Sequence, residues 1–334
     1  MRGCKIRSIH PLPVMQRRQT LQLAAAIGTT LAMSPIQSSV ADNGQAAGTP
    51  SSARPLTDLG QLPGLRPSPR MPVLFVGHGS PMNVIEDTRW RRGWQAMGRQ
   101  FGNHADAQYP KPQLILAISA HWLTRGWAVT GMAQPATIHD FGGFPQALFD
   151  MRYPAPGWPQ VAEGIGAAMR NPPVAVEDFE WGLDHGTWSV LQPMFPAADI
   201  PVIQLSLDYS RPPHEHLALG RQLRALREQG VLIVGSGNTV HNLRAVARQV
   251  PDNQAHSWAV EFDDFAARHI SSGNHAELAN FLTLGNLAKM AHPTHDHFLP
   301  LLHTAGAAHE GEAPTYFNEG FQLASIGMRS VLWG

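Results

Sequence analysis

Val231-Leu-Ile-Val-Gly235 is an unbroken apolar pentad that runs straight into Ser236-Gly237-Asn238-Thr239-Val240-His241-Asn242. A short apolar run closed by glycine reads as a strand buried on both faces. The same pattern occurs twice upstream. Pro72-Val-Leu-Phe-Val-Gly77 leads into His78-Gly79-Ser80-Pro81, and Gln113–Ala120 (QLILAISA) leads into His121-Trp122. Strand signals also lie at Trp127–Met132, Val174–Glu177, Val202–Ser206 and Ala324–Trp333. Helical patterns fall between them at Asp87–Phe101, Pro159–Arg170 and Pro213–Gln229, the last closed by Gly230. Strands alternating with helices predict an α/β fold: a single three-layer domain whose central, mostly parallel or mixed sheet is flanked by helices. The region between Gly235 and Ala324 reads as largely helical. In open sheets of this kind the carboxyl ends of the strands line one crevice, where ligands bind. Each of the three apolar runs is followed there by a histidine.

Bulk properties leave room for that reading and close off others. The chain has 334 residues, 43% of them hydrophobic and 15% charged, with a formal net charge of zero. Nucleic acid is excluded as a main partner, because such binding needs clustered Lys and Arg facing phosphates. The single cysteine, Cys4, lies in a segment expected to be removed. The mature chain then has no disulfide, no cysteine-type metal site and no cysteine nucleophile, so a metal must be held by His, Asp or Glu. Histidine is abundant, at 17 against 4 tyrosines.

The first 41 residues read as a cleavable export signal. Arg17-Arg18 precede the apolar stretch Leu21–Met33, and Ser39-Val40-Ala41 offers small residues for cleavage. The paired arginines point to the twin-arginine route, with the general secretory route as the alternative. The apolar stretch is too short to span a bilayer comfortably, so no membrane span is expected in the mature chain. Residues 42–70, rich in Gly, Ser, Ala and Pro, read as a flexible linker, and the catalytic domain is expected over 71–334.

Two further segments carry histidines in unusual company. Leu183-Asp184-His185-Gly186-Thr187-Trp188 reads as a loop, and His292-Pro-Thr-His295-Asp296-His297 places three histidines in six residues near a helix start. Neutral imidazole suits Fe(II), Zn(II) and other first-row metals. The pattern alone serves a redox metal enzyme, a zinc hydrolase that activates water, or a metal carrier. His214 and His216 on the amphipathic helix read as surface residues, and His10, His104, His256, His269, His275, His303 and His309 as structural or surface ones.

HGSP at 78–81, SAHW at 119–122, IHDFGGFP at 138–145, LDHGTW at 183–188, SGNTVHN at 236–242 and HPTHDHFLPL at 292–301 occur in one order. Together they resemble the class III extradiol ring-cleavage dioxygenases, specifically the DOPA 4,5-dioxygenase branch, over essentially the whole of 71–334. The resemblance implies one divalent metal per chain, Fe(II) for activity or Zn(II), with a small-molecule catechol and O2 as substrates. It makes His78, His121, His241 and His297 the metal-associated residues, without selecting which three ligate directly. It makes His185 the acid–base histidine, a role that needs a pKa near neutrality, with His139 assisting in proton handling. Asp140 and Trp122 are expected at the substrate, with Phe141 and Phe144 as further apolar walls; Arg125 and Arg244 are candidates to hold a substrate carboxylate. Oligomeric state is not legible in the sequence.

Overall fold

The computed structural model describes residues 58–334. The export signal and the linker up to residue 57 lie outside the described residues. The linker expected as far as residue 70 is corrected over 58–70: Leu59 and Leu62 are buried in the core, and the Leu62 N–H donates to the Gln229 side chain at 2.8 Å. Two leucines spaced on a short 3-10 turn give this Pro/Gly-rich stretch enough apolar area to dock, which composition alone conceals.

Ten strands and nine helices make up the described fold. The strands are β1 (Val73–Gly77), β2 (Leu114–Thr124), β3 (Trp127–Thr130), β4 (Val174–Glu177), β5 (Val202–Asp208), β6 (Val231–Gly237), β7 (Pro314–Phe317), β8 (Phe321–Gln322), β9 (Ile326–Gly327) and β10 (Ser330–Trp333). The helices are α1 (Arg89–Gly98), α2 (Gln146–Phe149), α3 (Pro159–Ala168), α4 (His185–Met194), α5 (Pro213–Leu223), α6 (Ser257–Ser271), α7 (His275–Ala279), α8 (Asn286–Ala291) and α9 (Leu299–Ala307). Eight strands form one mixed sheet in the order β4-β3-β5-β2-β6-β1-β10-β7. Its centre, β5-β2-β6-β1, is parallel, while β10 and β7 continue it antiparallel on one side and β3 pairs antiparallel with β5 on the other.

The three layers follow from strand periodicity. Side chains alternate between faces, so Val73, Phe75, Leu116, Ile118, Val231 and Ile233 join the apolar cluster that includes helices α3, α5, α6 and α9. Their neighbours Leu74, Val76, Ile115, Ala117, Leu232 and Val234 join the opposite cluster, with Trp90, Trp94 and Met97 of α1 and Trp188 of α4. Continuous apolar strands are what two covered faces require.

Three element expectations change. The segment 324–333 is two short strands in different sheets rather than one, and β7 and β8 precede it where helix was expected. The long helix 213–229 is α-helical only to Leu223, then tightens to a 3-10 turn that ends at Gly230, whose φ of 73° needs glycine. His185 lies in no loop: it is the first residue of α4, capped by the Asp184 carboxylate, which accepts from the Thr187 N–H at 3.1 Å. Among the described residues no helix is long and apolar enough to cross a membrane.

Candidate active site

His78 follows the last residue of β1, and His241 lies four residues beyond β6. These parallel strands lie side by side, with Gly77 opposite Gly237, so both histidines arrive at one edge of the sheet. His121 lies inside β2, which runs on to Thr124 past an irregularity between Ile118 and Leu123. His185 comes from the start of α4 and His297 from the loop before α9. Two glycines permit the approach. A Cβ on Gly186 would meet the Ser119 hydroxyl at 2.5 Å and the His121 ring at 2.8 Å, and one on Gly237 would meet the His297 carbonyl at 2.2 Å.

The rings converge. The ligand atoms of His78, His121 and His185 all lie within 4.8 Å of one another. The His297 ring centroid is 5.1 Å from His78 and 5.0 Å from His121, and His241 stacks on His297 at 3.5 Å with the ring planes nearly parallel. All five line a cavity of about 470 Å³, with Phe141, Phe144, Leu243, Val246, Leu323 and Ile326 as apolar walls and Arg248 among the lining residues.

Hydrogen bonding sets the orientation of the imidazoles. The Ser236 hydroxyl donates its one proton to the Gly186 carbonyl at 2.5 Å, so at 3.0 Å from His78 Nδ1 it must accept. His78 therefore carries its proton on Nδ1 and presents the Nε2 lone pair to the site. Asp140 lies 3.5 Å from His121 Nδ1 and 2.9 Å from His185 Nδ1, and it also accepts the His185 backbone N–H at 2.9 Å. Asp296 lies 2.7 Å from His297 Nδ1. His78 and His297 are thus oriented from behind, as carboxylate- and hydroxyl-backed ligands are, and the Asp140 carboxylate lies behind His121 and His185.

Electrostatics keep His78, His121, His241 and His297 neutral. Burial, then the neighbouring His121 and His297, holds His78 well below the ordinary histidine range. Burial and the other imidazoles do the same to His297. Burial brings His121 down to about 3, against the opposing pull of Asp140, and His241 to about 4. For Asp140 burial pushes upward, but His185 and then His121 outweigh it, so the carboxylate stays ionised. Asp184 behind them is raised to about 6, chiefly by burial.

The donor set fits a metal. His78 Nε2 and His121 Nε2 face each other 3.3 Å apart. Two lone pairs so placed repel unless a cation or proton lies between them, and nitrogens each about 2.1 Å from a tetrahedral metal are roughly 3.4 Å apart. Neutral, buried, oriented imidazoles without thiolate suit a first-row divalent ion.

Several sequence-based expectations are corrected. Trp122 does not line the cavity. With His121 turned inward, strand alternation sends Trp122 to the other side, where it is buried and stacks parallel on Trp181. His139 does not line it either, because its Nε2 lies 3.1 Å from the Met151 carbonyl and its ring packs among Phe141, Phe149 and Trp188. Asp140 turns its carboxylate to the two imidazoles rather than into the cavity. In the run 292–297 only His297 reaches the site, since His292 is buried against the Thr239 carbonyl and His295 stacks on Tyr209. His216 is fully buried, not a surface residue. Ser236 and Asp296 were missed as orienting groups; their adjacency to His241 and His297 in motif segments was the available signal.

Residues 72–328 match the family described as the catalytic LigB subunit of aromatic ring-opening dioxygenase. The chain is 45% identical over 270 residues to a 4,5-DOPA dioxygenase extradiol of Escherichia coli (strain K12), covering 80% of this chain and 96% of the relative. It is 36% identical over 243 residues to the protein of the same name from Beta vulgaris, covering 71% of this chain and 87% of that one. A crystal structure of an uncharacterized protein from Escherichia coli K12 superposes with a TM-score of 0.67 at 39% identity, covering 79% of this chain and all of the other. With its histidine-lined cavity at the strand ends, the chain belongs to the LigB family of class III extradiol ring-opening dioxygenases.

Proposed function

We propose that this chain opens the ring of a DOPA-like catechol beside its two hydroxyls, using O2 and one divalent metal, Fe(II) for turnover. The observation that carries the reading is the convergence of imidazoles in one aromatic-walled cavity. The names of the relatives agree with it. Of the three imidazoles spaced for a metal, His78, His121 and His185, this reading gives the metal to His78 and His121 with His241 and His297 beside them, and reserves His185 for proton transfer. When bound, the metal supplies the path for electrons between catechol and O2 that their direct, spin-forbidden reaction lacks. Asp140 accepts the His185 backbone N–H and its carboxylate lies 2.9 Å from His185 Nδ1, which leaves Nε2 to accept a hydroxyl proton of the catechol and return one later. The resulting imidazolium is stabilised by the ionised Asp140, as a carboxylate-backed base requires. Phe141 and Phe144 pack edge-on in the wall and offer an aromatic ring its apolar contact.

The test is oxygen uptake with visible absorbance, on protein loaded anaerobically with Fe(II) and given L-DOPA, protocatechuate or catechol. Stoichiometric uptake with a yellow ring-opened product is expected. No uptake across the panel, from protein holding one metal per chain, sinks the reading and favours a zinc hydrolase. We propose in addition that residues 1–41 direct export to the periplasm, which a family match beginning only at residue 72 supports. Full-length protein confined to the cytoplasm on fractionation argues the opposite.

A further inference from the structure

We propose that Arg248 binds a carboxylate on the substrate's side chain, so that the cavity selects catechols with an anionic tail over neutral or cationic ones. The inference rests on the ring-opening reading for the catechol end of the ligand and adds what recognises the other end.

Charge in the cavity is one-sided. Apart from the histidines, Arg248 is the one ionisable side chain on its wall, and no carboxylate lines it. The buried Arg227 and the largely buried Arg329, by contrast, are committed to carboxylates, Glu312 at 2.7 Å and Asp263 at 2.8 Å. Among the described residues no carboxylate lies within ion-pair distance of the Arg248 guanidinium. An arginine left without an anion beside an apolar cavity is a ready partner for one that arrives with the ligand, because its planar fork matches a carboxylate.

The backbone fixes where that fork starts. The Ala247 N–H donates to the Leu323 carbonyl at 3.0 Å, and Val246 and Leu323 both pack on the apolar cluster and line the cavity. Arg248 thus leaves the chain from a pinned point on the wall. Arg125, in the turn between β2 and β3, and Arg244, in a 3-10 turn, do not line the cavity, whereas Arg248 lines it while remaining exposed to solvent. A cavity of about 470 Å³ has room beyond one aromatic ring for a short tail. An ammonium tail would meet a cation there and find no carboxylate.

The experiment is anaerobic titration calorimetry on the full, metal-loaded chain. The ligands are 3-(3,4-dihydroxyphenyl)propionate, 4-ethylcatechol and dopamine, and the proteins are the parent, Arg248→Gln and Arg248→Lys. The parent is expected to bind the propionate about tenfold tighter than 4-ethylcatechol, the gain of a partly exposed charge-assisted pair, with dopamine weakest. Arg248→Gln brings the propionate-to-ethylcatechol ratio to within about twofold, and Arg248→Lys retains part of it. Equal affinities in the parent, an undiminished ratio in Arg248→Gln, or no binding of any ligand overturns the proposal. Oxygen uptake with 4-ethylcatechol is scored separately: its absence counts against ring opening, while the affinity ratio alone decides Arg248.

Discussion

His121, half-buried in the cavity, and His216, fully buried on α5, are both desolvated imidazoles, yet their surroundings differ in kind. Burial depresses both, His121 to about 3 and His216 to about 2. Around His121 the rings lie beside polar partners: the Asp140 carboxylate near His121 and His185, Ser236 at His78, Asp296 at His297. His216 instead faces His303 of α9 at 5.0 Å and Trp127 at 4.7 Å, edge to face, and neither of its ring nitrogens has a partner. No carboxylate backs this second pair, and it is held among apolar side chains of one core layer. The contrast separates two effects that burial alone confuses. Desolvation makes a histidine neutral; an oriented partner and an open cavity make its lone pair usable.

The largest effect that tests the contrast is loss of the base. His185→Ala is expected to lower turnover by about 10²–10⁴-fold, the usual worth of a positioned acid–base group, while metal content by elemental analysis stays at the parent level. Loss of metal in that variant would move His185 from proton transfer to the ligand set. Next comes the orienting layer. Asp296→Ala is expected to weaken metal retention against a chelator by about 10–100-fold, as removal of such partners does, because Asp296 is 2.7 Å from His297 Nδ1. Unaltered retention would reduce Asp296 to a surface neighbour.

The smallest effect belongs to the second pair and shows in stability. His216 and His303, the latter held at about 4 by burial, have folded pKa values below the unfolded value of about 6.5. Both states are neutral above that value, so the pair contributes no pH dependence there. As pH falls below it the unfolded chain takes up protons that the folded chain refuses, and stability declines by about 1.4 kcal/mol per pH unit for each such group. His216→Leu is therefore expected to leave turnover at neutral pH intact and to make denaturant-derived stability less steep between about pH 6 and 4. An unchanged slope would mean that His216 is not excluded from protonation in the folded state.

Much of this was readable along the chain, for specific reasons. The runs 72–77, 113–120 and 231–235 needed no partner to be recognised, since strands covered on both faces are apolar throughout. Their positions directly before His78, His121 and the His241 segment placed three imidazoles at one sheet edge once the strands were taken as parallel neighbours. Trp122 was misplaced because adjacency in sequence is opposition across a strand. His216 was misplaced because an amphipathic pattern does not say how wide the buried stripe is once α9 packs on α5. The 58–70 segment was misread because three leucines spaced by three, Leu59, Leu62 and Leu65, make too short a run amid Gly and Pro to stand out from a linker.

By itself, then, the amino-acid order determined the layers of the fold and the residue types available for chemistry, because local periodicity and composition are properties of the chain alone. The tertiary structure decided which of those residues meet. Asp140 between two imidazoles, Ser236 setting the His78 tautomer and Arg248 on the cavity wall are contacts between segments tens to hundreds of residues apart. Such contacts depend on strand register, on the close approach that Gly186 and Gly237 allow, and on where each loop is pinned. No local pattern encodes those quantities; they exist only once the sheet is assembled.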